Sequence, residues 1–231
     1  MEIKTFTFNL FREHTMVAWT SGPGCVIVDP GWYNAAERAE FFSFLEDSSL
    51  KPEAILLTHG HLDHVYGVAE ARNAFDIPVY MDPAEVKVLE FSASSSVKLG
   101  LTPPDIHFDF IPVTDGMRVR AAGMEFVAIS TPGHSPGGLC WLEEKERVMF
   151  SGDTLFADTI GRTDMMYSEY DDEIRSIMEK IIILDPDIAI CPGHGPSSTI
   201  GHERTHNPFL EPFNEPEPDP DEEVDPVEIH A

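Results

Sequence analysis

From Ile3 to Phe8 apolar and polar side chains alternate (IKTFTF), the period-two pattern of a half-buried strand. A second extended run covers residues 14–19, and the apolar run CVIVDPG at 25–31 closes in a Pro-Gly turn. The period then lengthens. Residues 34–47 predict a helix, with Phe41, Phe42 and Leu45 at helical spacing and Asn34 as its cap. A short buried strand follows at 54–57, a helix at 62–75, a strand at 77–81 and a helix at 83–99 with proline in its first turn. The middle of the chain is strand-like again, with apolar runs at 108–113, 117–119, 124–130, 138–142 and 147–150 between glycine and charged turns. Residues 170–184 predict a helix with Ile174, Ile177, Ile181 and Leu184 on one face. A last strand at 188–191 and a short helix at 199–207 complete the pattern. Strands and helices alternate in two successive sets. The expected class is therefore α/β: two sheets packed together, with helices covering their outer faces.

The last stretch breaks this pattern. Residues 211–231 hold nine acidic residues, five prolines and no lysine or arginine, so they offer little to a core. The expected organisation is one domain over 1–210 and an acidic, proline-rich tail that is disordered or draped on the surface. The whole chain of 231 residues carries a formal charge of −26, which repels phosphate backbones and argues against nucleic-acid and anionic-membrane partners. No window approaches the roughly 18 apolar residues of a membrane span, and MEIKTFTFNLF lacks the apolar core of a signal peptide. Three widely spaced cysteines, Cys25, Cys140 and Cys191, fit a reducing compartment, so a cytoplasmic protein is expected. Each lies in or beside an apolar run, which marks it as a buried structural thiol rather than a nucleophile.

The candidate chemistry lies where predicted strands end. LLTHGHLDH at 56–64 places His59, His61, Asp63 and His64 together, and TPGHSPG, FSGDTLF and CPGHGP add His134, Asp153 and His194. In each of the later three an apolar run ends, glycine opens the backbone, and a ligand-type residue follows. Strand ends of layered α/β folds are where ligand sites collect. His59 and His61, two apart in extended chain, point the same way and can grip one ion, with Asp63 next in that register. His64, at a helix start, points elsewhere and can serve a second. Seven such groups exceed the four ligands of a tetrahedral zinc and suit two ions sharing a carboxylate. Any one of these histidines alone would be an ordinary loop residue. His14, His107, His202, His206 and His230 lack the context and are read as surface or core histidines.

In HGHLDH, combined with the three later motifs, the chain resembles the metallo-β-lactamase superfamily over residues 3–207. The resemblance implies a four-layer αββα sandwich. It also implies the ligand sets: His59, His61 and His134 for one ion, Asp63, His64 and His194 for the other, and Asp153 shared between them. Within the superfamily, VDPG, IGRTD and PGHGPSSTIGHERTHNPFL are most similar to short glyoxalase II-like hydrolases. That implies a small-molecule thioester such as S-lactoylglutathione, cleaved by a hydroxide held between two divalent ions, zinc first and iron or manganese as alternatives. Asp63 would orient the hydroxide, and Arg162 and Asp164 would brace the ligand loop or simply pair with each other. Asp153 stands where some β-lactamases carry cysteine, which turns the expectation away from antibiotics. Persulfide dioxygenases share the fold and the GRTD run, and would use one iron on His59, His134 and Asp153. Two departures concern the thiol portion of the substrate. The helical domain of longer glyoxalase II enzymes is not present in this sequence, and MMYSEYDD at 165–172 replaces a Leu-Pro-Gly-Gly-like turn.

Overall fold

The computed structural model describes residues 1–211, so the expected acidic tail lies, apart from Glu211, outside the described residues. Six strands form the first sheet in the order of the chain: β1 (Glu2–Phe8), β2 (Glu13–Trp19), β3 (Gly24–Val28), β4 (Lys51–Leu56), β5 (Val79–Met81) and β6 (Ile111–Pro112). The first three pair antiparallel and the rest parallel. The parallel pairs need crossovers, supplied by α1 (Ala35–Asp47), by α2 (Leu62–Val65) with α3 (Val68–Phe75), and by α4 (Val86–Lys98). The second sheet also contains β7 (Arg118–Ala121), β8 (Met124–Ser130), β9 (Leu139–Glu143), β10 (Val148–Gly152), β13 (Ala189–Pro192) and β14 (Ser198–Thr199). Its order is β14-β13-β10-β9-β8-β7, with α5 (Tyr170–Ser176) and α6 (Ile200–His206) outside it. A separate hairpin pairs β11 (Leu155–Phe156) with β12 (Thr159–Ile160).

Side-chain alternation sorts the core into layers. On β3 every residue is buried, Val26 and Val28 towards the other sheet and Cys25 and Ile27 towards the helices. The inter-sheet core joins Met16, Val28 and Leu56 to Phe126, Trp141 and Phe150. Beyond the first sheet lie Phe41, Leu45, Val68 and Leu89 from the helices. Beyond the second, Ile177, Ile181 and Ile200 pack on Cys140, Met149 and Ile190. The four-layer αββα sandwich is therefore what the alternating pattern requires: each sheet buries both faces.

Most elements lie where the pattern places them, and the differences have physical causes. Asn34 caps α1, its side chain accepting from the backbone N–H groups of Ala36 and Glu37. The helix expected over 62–75 breaks at Tyr66–Gly67. There the backbone packs against the Trp32 indole, and a Cβ on Gly67 would lie 2.5 Å from the ring. The helix expected over 170–184 becomes a π-turn at Ile177–Ile181, although Ile177 and Ile181 stay buried as the apolar register requires. The strand expected at 108–113 shrinks to Ile111–Pro112, because proline has no N–H for a ladder and is tolerated at a sheet edge. Among the described residues no helix is long and apolar enough to cross a membrane.

All three cysteines are unpaired, and burial pushes their thiols up, Cys25 and Cys140 to about 12 and Cys191 to about 11. They are poor nucleophiles in the fold. Titration of the native protein with a thiol reagent at pH 8 should label at most Cys191, and all three should react after unfolding. Rapid labelling of Cys25 or Cys140 in the native state would contradict this packing.

Candidate metal centre

Five strand ends meet at one edge of the sandwich. Beyond β3 comes Asp29, and beyond β4 come Thr58, His59 and His61. The turn after β8 carries His134, Asp153 follows β10, and His194 follows β13. Asp63 and His64 sit in the single turn of α2. The seven residues singled out as ligands are thus brought together from four separate parts of the chain.

They converge as two groups of side-chain donors. His59, His61 and His134 form one, and Asp63, His64 and His194 the other, with ligand atoms in each lying within 4.8 Å of one another. His61 Nδ1 is 2.9 Å from His134 Nε2, and His64 Nε2 is 3.3 Å from His194 Nε2. Nitrogen ligands on a zinc-sized ion at about 2.0–2.1 Å are separated by roughly 3 Å, so both groups have the spacing of a coordination shell. Asp153 lies between them: Oδ1 is 3.4 Å from His64 Nε2, and Oδ2 is 3.6 Å from His134 Nε2 and 3.5 Å from His194 Nε2. Asp63 Oδ2 is 3.3 Å from His194 Nε2.

Two atoms test whether these residues fit metal ions. His59 Nε2 and Asp153 Oδ1 are buried and have no hydrogen-bond partner. Orphaned buried polar atoms are rare and costly, and both face a ring of further donors. Divalent cations would satisfy them. Electrostatics agrees. Burial keeps His59 and His134 well disposed to be neutral, and burial together with His134 lowers His61 to about 3, so their lone pairs stay available. Burial alone would also lower His64, but Asp153 and Asp63 more than reverse it. The carboxylates therefore create a field that favours positive charge at this spot.

Hydrogen bonds behind the ring fix which nitrogen each histidine presents. Asp29 accepts from Thr58 N at 2.8 Å, from Thr58 Oγ1 at 2.6 Å and from His64 Nδ1 at 3.0 Å. With its proton given to Asp29, Thr58 Oγ1 can accept from His59 Nδ1 at 2.9 Å. His134 Nδ1 donates to the carbonyl of Arg162 at 2.9 Å. In all three rings Nε2 is left facing the ring of donors. Asp29 also groups with His59 and His64, but its oxygens are taken by these donors, so it orients ligands.

Arg162 and Asp164 act differently from a brace between side chains. Their side chains, 65% and 72% exposed, bind each other at 2.7 and 3.0 Å, and it is the backbone carbonyl of Arg162 that holds His134. The charged pair is a surface pair, of the kind worth little to stability.

The sequence reading missed the residues that hold the ligand loops. Glu85 accepts from Gly60 N at 2.6 Å and Gly137 N at 2.7 Å, and Glu173 accepts from His134 N at 2.7 Å. Burial raises Glu85 to about 7 and Glu173 to about 8. A signal existed. Glu85 shares a helical face with the buried Val88, Leu89 and Ser92, and Glu173 lies four residues before Ile177, so each is a carboxyl in an apolar register. His14, read as an ordinary histidine, braces the His194 loop. Its backbone N donates to Gly193 O at 2.8 Å, and its Nδ1 lies 3.1 Å from Pro192 O. A further group, Asp158, His202 and Glu203, lies on the outer side of the β11–β12 hairpin, where His202 Nε2 is 2.8 Å from Asp158 Oδ1.

Above the histidines a cleft of about 840 Å³ opens to solvent, with His61, Asp63, His134, Asp153 and His194 on its floor. Its size is that of a small-molecule site.

Comparison with known proteins agrees with this geometry. The profile of the metallo-β-lactamase superfamily matches residues 12–194. The hydroxyacylglutathione hydrolase GloC of Haemophilus influenzae is 33% identical over 215 residues, spanning 91% of this chain and 98% of its own. A probable metallo-hydrolase of Streptococcus pyogenes is 34% identical over 190 residues, covering 80% of each chain. Among solved structures, the BLEG-1 B3 metallo-β-lactamase superposes with a TM-score of 0.80 at 35% identity, covering 91% of this chain and 100% of that one. TTHA1623, in a di-iron-bound form, also superposes at 0.80, with 34% identity and 90% and 100% coverage.

A Cβ on Gly193 would lie 2.3 Å from Asp153 Oδ1 and 2.6 Å from His64 Cε1. Gly193→Ala should therefore displace ligands of both groups and lower bound metal, measured by plasma emission, at least several-fold in a protein whose circular dichroism is unchanged. Full metal content in that variant would refute the close approach.

Proposed function

This chain belongs to the metallo-β-lactamase superfamily, and from that membership we propose that it is a metal-dependent hydrolase of thioesters, similar in reaction to glyoxalase II. One observation carries the reading: the second donor group, Asp63, His64 and His194, is complete and shares Asp153 with the first. A mononuclear iron dioxygenase would use only His59, His134 and Asp153 and would leave that second group without a role. GloC supports the thioester class, being a hydroxyacylglutathione hydrolase at 33% identity. TTHA1623 in its di-iron form keeps iron beside zinc as a candidate ion. The three unpaired thiols support a reducing, cytoplasmic setting.

In this reading His59, His61 and His134 hold one ion, Asp63, His64 and His194 the other, and Asp153 both. Two divalent ions so held supply a water of lowered pKa and a Lewis acid for the scissile carbonyl. The chain does the rest. Burial pushes the Asp63 carboxyl up, and His64 and His194 more than reverse this, so it is ionised and can accept a hydrogen bond from the attacking water. A carbon–oxygen bond forms, the carbon–sulfur bond breaks, and its electron pair leaves on sulfur. A thiol of pKa about 8.5 departs as thiolate without a strong general acid. Of the water's two protons, one passes by way of Asp63 Oδ2 to solvent and the other ends on the departed thiolate. Products are a carboxylate and a thiol.

The test joins metal analysis to a substrate panel of S-lactoylglutathione, other acyl thioesters, a lactone and a chromogenic β-lactam, the last because BLEG-1 is described as a B3 metallo-β-lactamase. Two ions per chain and thioester hydrolysis abolished by chelation are expected. Asp153→Ala should lose both ions and at least about a thousandfold in kcat/KM, the scale of losing such electrostatic stabilisation. One iron per chain with oxygen uptake on a persulfide would sink the proposal in favour of the dioxygenase.

A further inference from the structure

The cleft walls say what kind of acyl group the site is shaped for. Its floor is the polar ring of ligands, but its sides are apolar: Phe11, Phe91, Leu99, Phe156, Met165 and Met166 face it from the β1–β2 turn, α4, the β11–β12 hairpin and the segment after Gly161-Arg162-Thr163-Asp164. Three of these stand in solvent, Phe11 at 42%, Leu99 at 62% and Met166 at 54% exposure, so the apolar surface continues to the rim. Contiguous exposed apolar surface rimmed by polar residues marks a binding site.

The two serines on the α4 wall are already engaged. Ser92 Oγ donates to Gly60 O at 2.9 Å, and Ser95 Oγ to Ser92 O at 3.2 Å. Two cationic side chains line the cleft, Lys98 and Arg162, and both guanidinium bonds of Arg162 go to Asp164. A tripeptide thiol such as glutathione brings two carboxylates and an ammonium group. Among the described residues the walls offer Lys98 and the hydroxyl of Thr159 to hold them.

The methionine wall is a built feature. Ser168 Oγ donates to His134 O at 2.7 Å, Glu169 N to Gly133 O at 2.8 Å and Ser168 N to Met165 O at 3.2 Å. The first two fasten the segment to the loop that carries His134, and the third closes a turn within it. Tyr167, at φ 72°, packs its ring edge-on to Phe91 at 6.2 Å, which closes the wall against α4. Methionine is unbranched and polarizable, and moulds itself to flexible apolar chains.

We propose that the preferred substrate is a thioester of a medium-chain apolar acid, its acyl group lying between the Phe91–Leu99 face of α4 and Met165–Met166, its carbonyl over the ligand ring. This rests on the thioester reading above and narrows it. Hydrolysis then releases a free fatty acid and a thiol, with water the only co-reactant.

The experiment uses the metal-loaded chain and acyl thioesters of one small neutral thiol, N-acetylcysteamine, from acetyl to decanoyl, beside S-lactoylglutathione. Each methylene leaving water is worth up to about fourfold in affinity, so kcat/KM should rise at least tenfold from butanoyl to octanoyl. Met166→Glu, which puts a charge on the wall at an exposed position that folding tolerates, should cut the octanoyl-to-acetyl ratio about tenfold. A flat or falling series, with lactoylglutathione the better substrate, would overturn this inference and leave the thioester reading standing. An unchanged ratio in Met166→Glu would also overturn it. Hydrolysis of no thioester at all would overturn both.

Discussion

Three hydrogen bonds converge on the carboxylate of Asp29, and the site's geometry depends on them. They come from Thr58 N, Thr58 Oγ1 and His64 Nδ1. The first two tie the end of β3 to the end of β4, and the third ties both to α2. One consequence is orientation: His64 presents Nε2 directly, and His59 presents it through the hydroxyl of Thr58. These two histidines belong to different donor groups, so a single buried carboxylate sets one ring in each half of the centre. Asp29 does this from a left-handed backbone, φ 46°, a conformation aspartate tolerates better than most residues.

The outer helical elements serve the same centre in a second way. A 3-10 turn at Pro83–Glu85 and helix α5 each send one glutamate inward to accept from backbone N–H groups of ligand loops. Burying a carboxyl is costly unless its hydrogen bonds are made or its charge is given up. Both routes operate here: Glu85 accepts two backbone N–H bonds and Glu173 one, while burial raises them to about 7 and about 8. The helix layers therefore cover the sheets and also lock the loops that carry the ligand-type side chains. Strand ends alone would leave those loops as mobile connections.

Floor and walls of the cleft divide the work. The floor gathers histidines and carboxylates whose orphaned atoms call for cations, which suits polarising a carbonyl. The walls gather aromatic, leucine and methionine side chains, which suits holding what is attached to that carbonyl. The segment 165–172 links the two, because it hydrogen-bonds to the His134 loop and presents Met165 and Met166.

Local patterns in the sequence were enough to expect two packed sheets covered by helices, and to single out the seven ligand-type residues that the structure brings together. Period-two and helical spacing report burial directly, and a glycine-opened strand end followed by histidine or aspartate needs no distant partner to be recognised. What the pattern could not determine were events set by contacts across the fold. The helix break at Gly67 depends on Trp32, and the engagement of Arg162 by Asp164 rather than by the ligand loop depends on where solvent lies. The tasks of Asp29, Glu85, Glu173 and His14 depend on backbone groups far away in sequence. A hydrogen bond is decided by position to within a few tenths of an ångström, and composition and spacing carry no such information. The sequence by itself determined that seven ligand-type groups end up at strand ends. The family resemblance already implied their division into two groups around Asp153. Only the tertiary structure decided the apolar walls above them, because these arise from loops that meet only after the sheets have packed.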